Sequence, residues 1–190
     1  MSKHESKGLG RLWDNYWSKT TADLCTMGNP AIMQEAARFL NVPDIVTVED
    51  WGCGIGQFKP YLARHQQWIG VDGCGTSGAI KIEALDSYRS DADGLYMRGV
   101  LEHNPETWEA ILRNALASFT RRAVIVLWLP LVEEPEVNAR NYFPLNRIGR
   151  EDFNRVFTAG TRECAVETID IKNHNSNNKG LIETLYCIEK

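Results

Sequence analysis

Three glycines at alternating positions, Gly52, Gly54 and Gly56, stand between two apolar runs, Val46 to Trp51 and Trp68 to Asp72. The stretch predicts a buried strand, a tight turn, a short helix and a second strand that ends on a carboxylate. That order is a nucleotide-binding half-fold. Glycines let the backbone turn sharply and approach a ligand, and an acid about 20 residues further on can accept both hydroxyls of a ribose. The adenosine end of a cofactor is the chemistry this pattern points to.

The glycine spacing narrows the choice of cofactor. A dinucleotide fingerprint requires G-x-G-x-x-G, with a third glycine that lets the helix pack closely and the pyrophosphate sit on its N-terminus. Here the glycines alternate, and Lys59 stands where a further x-x-G step would end. The run Asp50-Trp51-Gly52-Cys53-Gly54-Ile55-Gly56 resembles motif I of the class I S-adenosylmethionine-dependent methyltransferases, with Asp50 as its leading acid and Asp72 as the ribose-binding acid. An ordinary strand-to-helix turn also uses glycines. The acid at the right distance, on a strand end, favours the cofactor reading.

A second block resembles the same family. Gly94 to Arg98 reads as a strand that runs through Gly99 into Val100-Leu101-Glu102-His103, similar to the segment after strand 4 in small-molecule methyltransferases. Asn104 is expected to cap the following helix, with Pro105 at its first position. Trp108, Ile111, Leu112, Ala115, Leu116 and Phe119 recur at helical spacing. The continuous apolar run Ala123 to Leu129 then reads as a strand buried on both faces. The resemblance is close over roughly residues 45 to 130 and looser elsewhere.

Length and composition bound the rest. A chain of 190 residues fits one domain with a full core, expected as an N-terminal helical cap over 1–44 and a Rossmann-like core over 45–190. Its apolar runs fall far short of the ~20 residues that span a bilayer, and the N-terminus is polar. Five scattered cysteines without a C-x-x-C pair read as reduced thiols, and a cytoplasmic location is expected. A net charge of −4 offers no broad attraction for nucleic acid. Oligomeric state is left open.

Leu12, Trp13, Tyr16 and Trp17 form an aromatic stripe at helical spacing. A helix is expected from Asn29 as cap and Pro30 at the first position, with Ile32, Met33, Ala36 and Leu40 inward; Pro43 then leads to a strand starting near Ile45. Between Asp72 and Gly94 the chain is too short for the usual helix, strand and helix. A strand over Ala79 to Leu85 follows directly, and helix B is expected to be missing. Residues 131–149 hold two prolines and no clean period, the mark of a lid or binding loop. Arg150 to Phe157 reads as a helix. Alternation over Cys164 to Ile171 and Leu181 to Ile188 around a turn-rich loop reads as a hairpin, and the family's sheet closes on such a hairpin, with strand 7 between strands 5 and 6.

The resemblance implies an α/β fold with a mostly parallel seven-stranded sheet, S-adenosyl-L-methionine as cofactor, and a cofactor set of Asp50, Gly52, Cys53, Gly54, Gly56, Asp72, Gly73, Asp86 and Arg98. Asp86 is the nearest match to an adenine-facing acid after strand 3; an acid capping its own turn is the other reading. Methyl transfer is an in-line displacement that gains most from alignment and water exclusion. His103 and Glu102 are the catalytic candidates, His103 as a base for a hydroxyl acceptor or as an organiser of the loop. Tyr16, Trp17, Tyr142 and Phe143 are candidates to wall the acceptor pocket, although aromatic stripes also serve as core. No metal site is expected.

The Asp/Asn-Pro-Pro-aromatic motif of amino-group nucleic-acid methyltransferases and the Pro-Cys nucleophile of cytosine chemistry are both absent. Small-molecule, lipid or glycan acceptors remain, methylated at oxygen or nitrogen. Two alternatives stand beside this reading. One is a methyltransferase-like binding or scaffold protein without turnover; the other is an NAD-linked Rossmann oxidoreductase, disfavoured by the glycine spacing and the terminal hairpin.

Overall fold

The computed structural model describes residues 15, 16, 18, 19, 29–74, 78–138, 145–174 and 180–190. Helix α1 (Pro30–Leu40) precedes strand β1 (Thr47–Trp51), and β2 (Gln67–Asp72) and β3 (Lys81–Ile82) follow. Then come β4 (Ala92–Arg98), α2 (Trp108–Ala117), β5 (Phe119–Leu127), a small ribbon of β6 (Glu136–Asn138) and β7 (Leu145–Arg147), α3 (Arg150–Gly160), β8 (Ala165–Lys172) and β9 (Ile182–Glu189).

Seven strands form one sheet in the order β3-β2-β1-β4-β5-β9-β8. Neighbours from β3 to β5 pair in parallel, while β9 runs antiparallel to both β5 and β8. The last strand therefore inserts between the fifth and the closing edge strand, as expected of the hairpin. Successive strand residues point to opposite faces, so register assigns the sheet two cores. Trp51, Leu95, Met97, Ile125 and Leu127 pack with α2 and α3 on one face. Val48, Tyr96, Val124, Val126 and Leu185 pack with α1 on the other.

Helix α1 begins at Pro30 as expected and buries Ile32, Met33, Ala36, Ala37 and Leu40. Its lead residue does not cap it: the Asn29 amide donates to Glu183 at 3.0 Å instead. Asn104 likewise does not cap α2. Its amide donates back to the Val100 carbonyl at 2.7 Å, a turn intervenes, and the helix starts three residues later than expected, at Trp108.

The short helix expected after the glycines is a 3-10 turn, Lys59–Tyr61, continued from Gly56 by successive three-residue bonds. Pro60 supplies the reason, since it has no N–H and blocks a longer α-helix at that point. The strand expected over Ala79 to Leu85 contains only Lys81 and Ile82. Among the described residues no helix lies between β2 and β3, and Ile80 and Ile82 are exposed at this thinly covered edge. Among the described residues the sheet thus has seven strands, with a 3-10 turn between β1 and β2 and no helix between β2 and β3. No helix among the described residues is long and apolar enough to cross a membrane.

Candidate functional site

The chain leaves β1 in a turn whose three glycines all have positive φ: 70° at Gly52, 51° at Gly54 and 77° at Gly56. L side chains rarely adopt this region. Two of the glycines also make room for their neighbours. A Cβ on Gly52 would overlap the Val100 side chain, and one on Gly56 would stand 3.3 Å from the Trp68 ring. The middle peptide is held at both ends, its N–H donating to Asp72 Oδ2 at 2.9 Å and its carbonyl accepting from Gly78 N at 2.6 Å.

Polar side chains line up across one face of the sheet at the carboxyl ends of its strands, where open α/β sheets bind ligands. Register sets Asp50 beside Gly70 on β2 and Tyr96 on β4; Asp72 and Arg98 share that face, two residues further along their strands. Asp72 is half-buried, its Oδ1 accepting from Cys74 N at 3.0 Å. Asp50 is buried and accepts from Trp68 Nε1 at 3.1 Å. Burial first and the nearby Asp72 charge together raise its pKa to about 7, against the lowering effect of the Trp68 bond.

Asp50, Gly52, Cys53, Gln57, Phe58, Met33, Tyr96 and Arg98 line a cavity of about 60 Å³. Phe58 stacks on Tyr96 with ring centroids 3.8 Å apart. The Tyr96 hydroxyl is buried with no hydrogen-bond partner among the described residues. An unpaired buried hydroxyl is costly, and this one lies in a cavity with a carboxyl group and a guanidinium. Cys53 is buried, and its thiol pKa is raised, first by burial and then by Asp50 and Asp72, which disfavours the thiolate.

Arg98 is gripped from the closing hairpin. Its Nε donates to Glu183 Oε2 at 2.8 Å and its Nη2 to Oε1 at 3.1 Å. Glu183 Oε1 also accepts from the amides of Asn29 and Asn173. The carboxylate is fully buried and satisfied from three directions.

The second block forms a 3-10 turn, Leu101–His103, directly after Gly99 at φ 65°. Glu102 is buried, and its Oε1 accepts from the backbone N–H groups of Trp128 at 2.7 Å and Leu129 at 3.4 Å. Its Oε2 and the indole Nε1 of Trp128 are buried without partners among the described residues. Burial raises the Glu102 pKa to about 7 despite the backbone bonds and the Arg98 charge. His103 is half-buried, its ring 5.8 Å from that of Trp128 and inclined by 27°.

The structure therefore brings Asp50, Gly52, Cys53 and Arg98 around one cavity, with Gly54 and Gly56 in the adjoining turn and Asp72 bonded to that turn from the end of β2. Gly73 is exposed directly after Asp72. Asp86 lies in an exposed turn after β3 and accepts from Ser87 Oγ at 3.4 Å, the contact of an acid serving its own turn. Tyr16 is half-buried; Trp17, Tyr142 and Phe143 lie outside the described residues. Sequence reasoning missed Tyr96, Gln57, Phe58 and Glu183. Tyr96 and Arg98 did carry a signal, because polar groups two apart in an apolar strand share a face. Glu183 carried none, since it reaches Arg98 only through the hairpin. Among the described residues no group of three or more His, Cys, Asp or Glu is placed to hold a metal ion.

No protein-family model and no curated protein matches the sequence. Solved structures do resemble the fold. A 1,6-didemethyltoxoflavin-N1-methyltransferase from Burkholderia thailandensis, solved with 1,6-didemethyltoxoflavin and S-adenosylhomocysteine, superposes with a TM-score of 0.69 at 16% identity, over 100% of this chain and 91% of that one. A magnesium protoporphyrin IX methyltransferase from Synechocystis, solved with S-adenosylmethionine, gives 0.66 at 14% identity, over 96% and 97%. The N-methyltransferase NodS from Bradyrhizobium japonicum, bound to S-adenosylhomocysteine, gives 0.67 at 12% identity, over 96% and 98%. The chain has the Rossmann-like fold of these methyltransferases.

Proposed function

We propose that this chain binds S-adenosyl-L-methionine and transfers its methyl group to oxygen or nitrogen of a small-molecule, lipid or glycan acceptor. The observation that carries the reading is the row Asp72, Asp50, Tyr96 and Arg98 on one face of the sheet, beneath a glycine turn, in a fold whose solved neighbours hold this cofactor or its product. The residues fit the molecule. Asp72 accepts the ribose hydroxyls. Asp50 and Arg98 take the ammonium and carboxylate of the methionyl end, opposite charges for a zwitterion, and the unpaired Tyr96 hydroxyl adds a donor in the same cavity. Gly52, Cys53, Gly54, Gly56 and Gly73 contribute backbone; Asp86 is the candidate for the adenine edge.

When bound, the sulfonium supplies an electrophilic methyl group. The chain's own share is alignment, exclusion of water and proton removal. His103 and Glu102 stand after β4, where His103 receives the acceptor's proton and Glu102, buried and poised near pH 7, orients the loop or takes that proton itself. Tyr16, Trp17, Tyr142 and Phe143 are the candidates for the acceptor side.

Calorimetric titration with S-adenosylmethionine, S-adenosylhomocysteine and NAD tests the reading: binding of the first two and not the third is expected. NAD binding alone replaces it with the oxidoreductase reading. The reduced helix cover around β2 and β3 favours a second possibility, a cofactor-binding protein without turnover. It is separated by methyl transfer in an acceptor screen.

A further inference from the structure

The cavity's guanidinium does not stand alone. Arg98 leaves the end of β4 and meets a carboxylate from a strand nearly 90 residues later, with Nε and Nη2 both engaged at 2.8 and 3.1 Å. A planar guanidinium held by a two-pronged bond is fixed in rotation as well as position. Glu183 is itself immobilised. The Asn29 amide, directly before α1, and the Asn173 amide, directly after β8, both donate to its Oε1. The Asn173 backbone closes the hairpin base by donating to the Leu181 carbonyl at 2.7 Å. Four elements thus converge on one buried carboxylate.

Stability alone is a weak reason for such an arrangement, because desolvating an ion pair offsets most of its attraction and apolar packing serves as well. The arrangement does accomplish a particular task. It holds an arginine in the wall of a cavity whose other walls carry Asp50 and the unpaired Tyr96 hydroxyl.

We propose that Glu183 is a positioning residue for the amino-acid end of the cofactor: through the ion pair it sets the Arg98 guanidinium that receives the ligand carboxylate, with Asn29 and Asn173 holding Glu183 in turn. This rests on the reading that S-adenosylmethionine occupies the site. The closing hairpin then serves binding as well as the fold, and it acts on one end of the ligand only.

The test compares two ligands with the same adenosine and sulfur. S-adenosylhomocysteine carries the amino-acid end and methylthioadenosine lacks it. Affinities for both are measured on the parent chain, Glu183→Gln, Asn173→Ala and Arg98→Met, with thermal unfolding recorded for each. Glu183→Gln is expected to lose at least tenfold for S-adenosylhomocysteine, with methylthioadenosine within twofold of the parent, and Arg98→Met to show the same selective loss. Asn173→Ala leaves the ion pair's own atoms in place and guards against a Glu183→Gln chain that does not fold; it should lower the ratio of the two affinities about threefold. Equal losses for both ligands, or an unchanged ratio in the folded variants, overturns the positioning role. A parent chain that binds methylthioadenosine but not S-adenosylhomocysteine, or binds neither, overturns the cofactor reading and this inference with it.

Discussion

Gly52 lies so close to Val100 that a Cβ on the glycine would overlap the valine side chain. The contact joins the glycine turn after β1 to the Val-Leu-Glu-His segment after β4, so the two motifs that carry the sequence resemblance pack on one another. Gly52 also has φ 70°, so an added side chain meets both strain and collision. Gly52→Ala is expected to destabilise the fold by about 2 kcal/mol or more, since overpacking and a left-handed non-glycine residue each cost roughly 1–3 kcal/mol. Adding Val100→Ala relieves the collision and not the strain, so urea unfolding of the pair should show partial recovery. A Gly52→Ala midpoint equal to the parent's removes the packing argument.

Asp72 restrains the turn through Gly54 N and Cys74 N, and it is the proposed acceptor for the ribose hydroxyls. Asp72→Ala is expected to lower S-adenosylhomocysteine affinity at least tenfold, because hydrogen bonds to charged groups contribute roughly 1.5–3 kcal/mol each. Faster amide exchange at Gly54 and Cys74 should accompany the loss. Asp72→Asn keeps one acceptor oxygen and should fall between alanine and the parent. Parental affinity in the alanine variant rules out the ribose role.

The pKa of Glu102 is raised by burial from 4.5 to about 7, so the folded chain holds this proton more tightly than the unfolded one. The stabilisation is complete below about pH 4.5 and is lost as pH rises through 7. Asp50, raised from 3.8 to about 7, acts in the same direction. The Tm should therefore fall between pH 5 and pH 8 as far as these two groups govern it. Glu102→Gln keeps an oxygen for Trp128 N and removes one titration, so its Tm should gain on the parent's as pH rises. A constant difference between the two across that range sinks the assignment.

The fold was legible where local chemistry dictates it. Pro30 starts α1, alternation marks β8 and β9, and the apolar run through Val124 and Ile125 marks a strand buried on both faces. Pro60 was visible too, yet the glycine turn before it favoured a helix, and only the three-residue bonding from Gly56 onward shows which influence prevailed. Asn29 and Asn104 mislead for a shared reason: a side-chain amide both donates and accepts, and in each case a donor bond, to Glu183 across the fold or to the Val100 carbonyl four residues back, orients the amide in place of a cap. The site was half legible. Asp50, Asp72 and the glycines are set by spacing along one chain segment. Tyr96 and Glu183 join them through sheet register and the hairpin crossover, which local sequence does not encode.

Trp68 provides a sharp test of the site's electrostatics. Its indole lies under the glycine turn, 3.3 Å from where a Cβ on Gly56 would stand, and it would overlap one on Gly70. The Lys59 ammonium lies 5.1 Å from its ring centroid. The Nε1–H is the donor that opposes burial at Asp50. Trp68→Phe retains an aromatic ring under the turn and deletes that donor, so the Asp50 pKa should move above its present value of about 7. If Asp50 receives the ligand ammonium, S-adenosylhomocysteine affinity in the parent rises with pH through about 7. In Trp68→Phe the same rise should occur at higher pH, while methylthioadenosine, which has no ammonium, should follow neither curve. Calorimetry from pH 6 to pH 9 on both proteins reads the shift. Superimposable profiles would mean that Asp50 does not meet the ligand's charge, and the acid that leads the glycine turn would then be a structural residue.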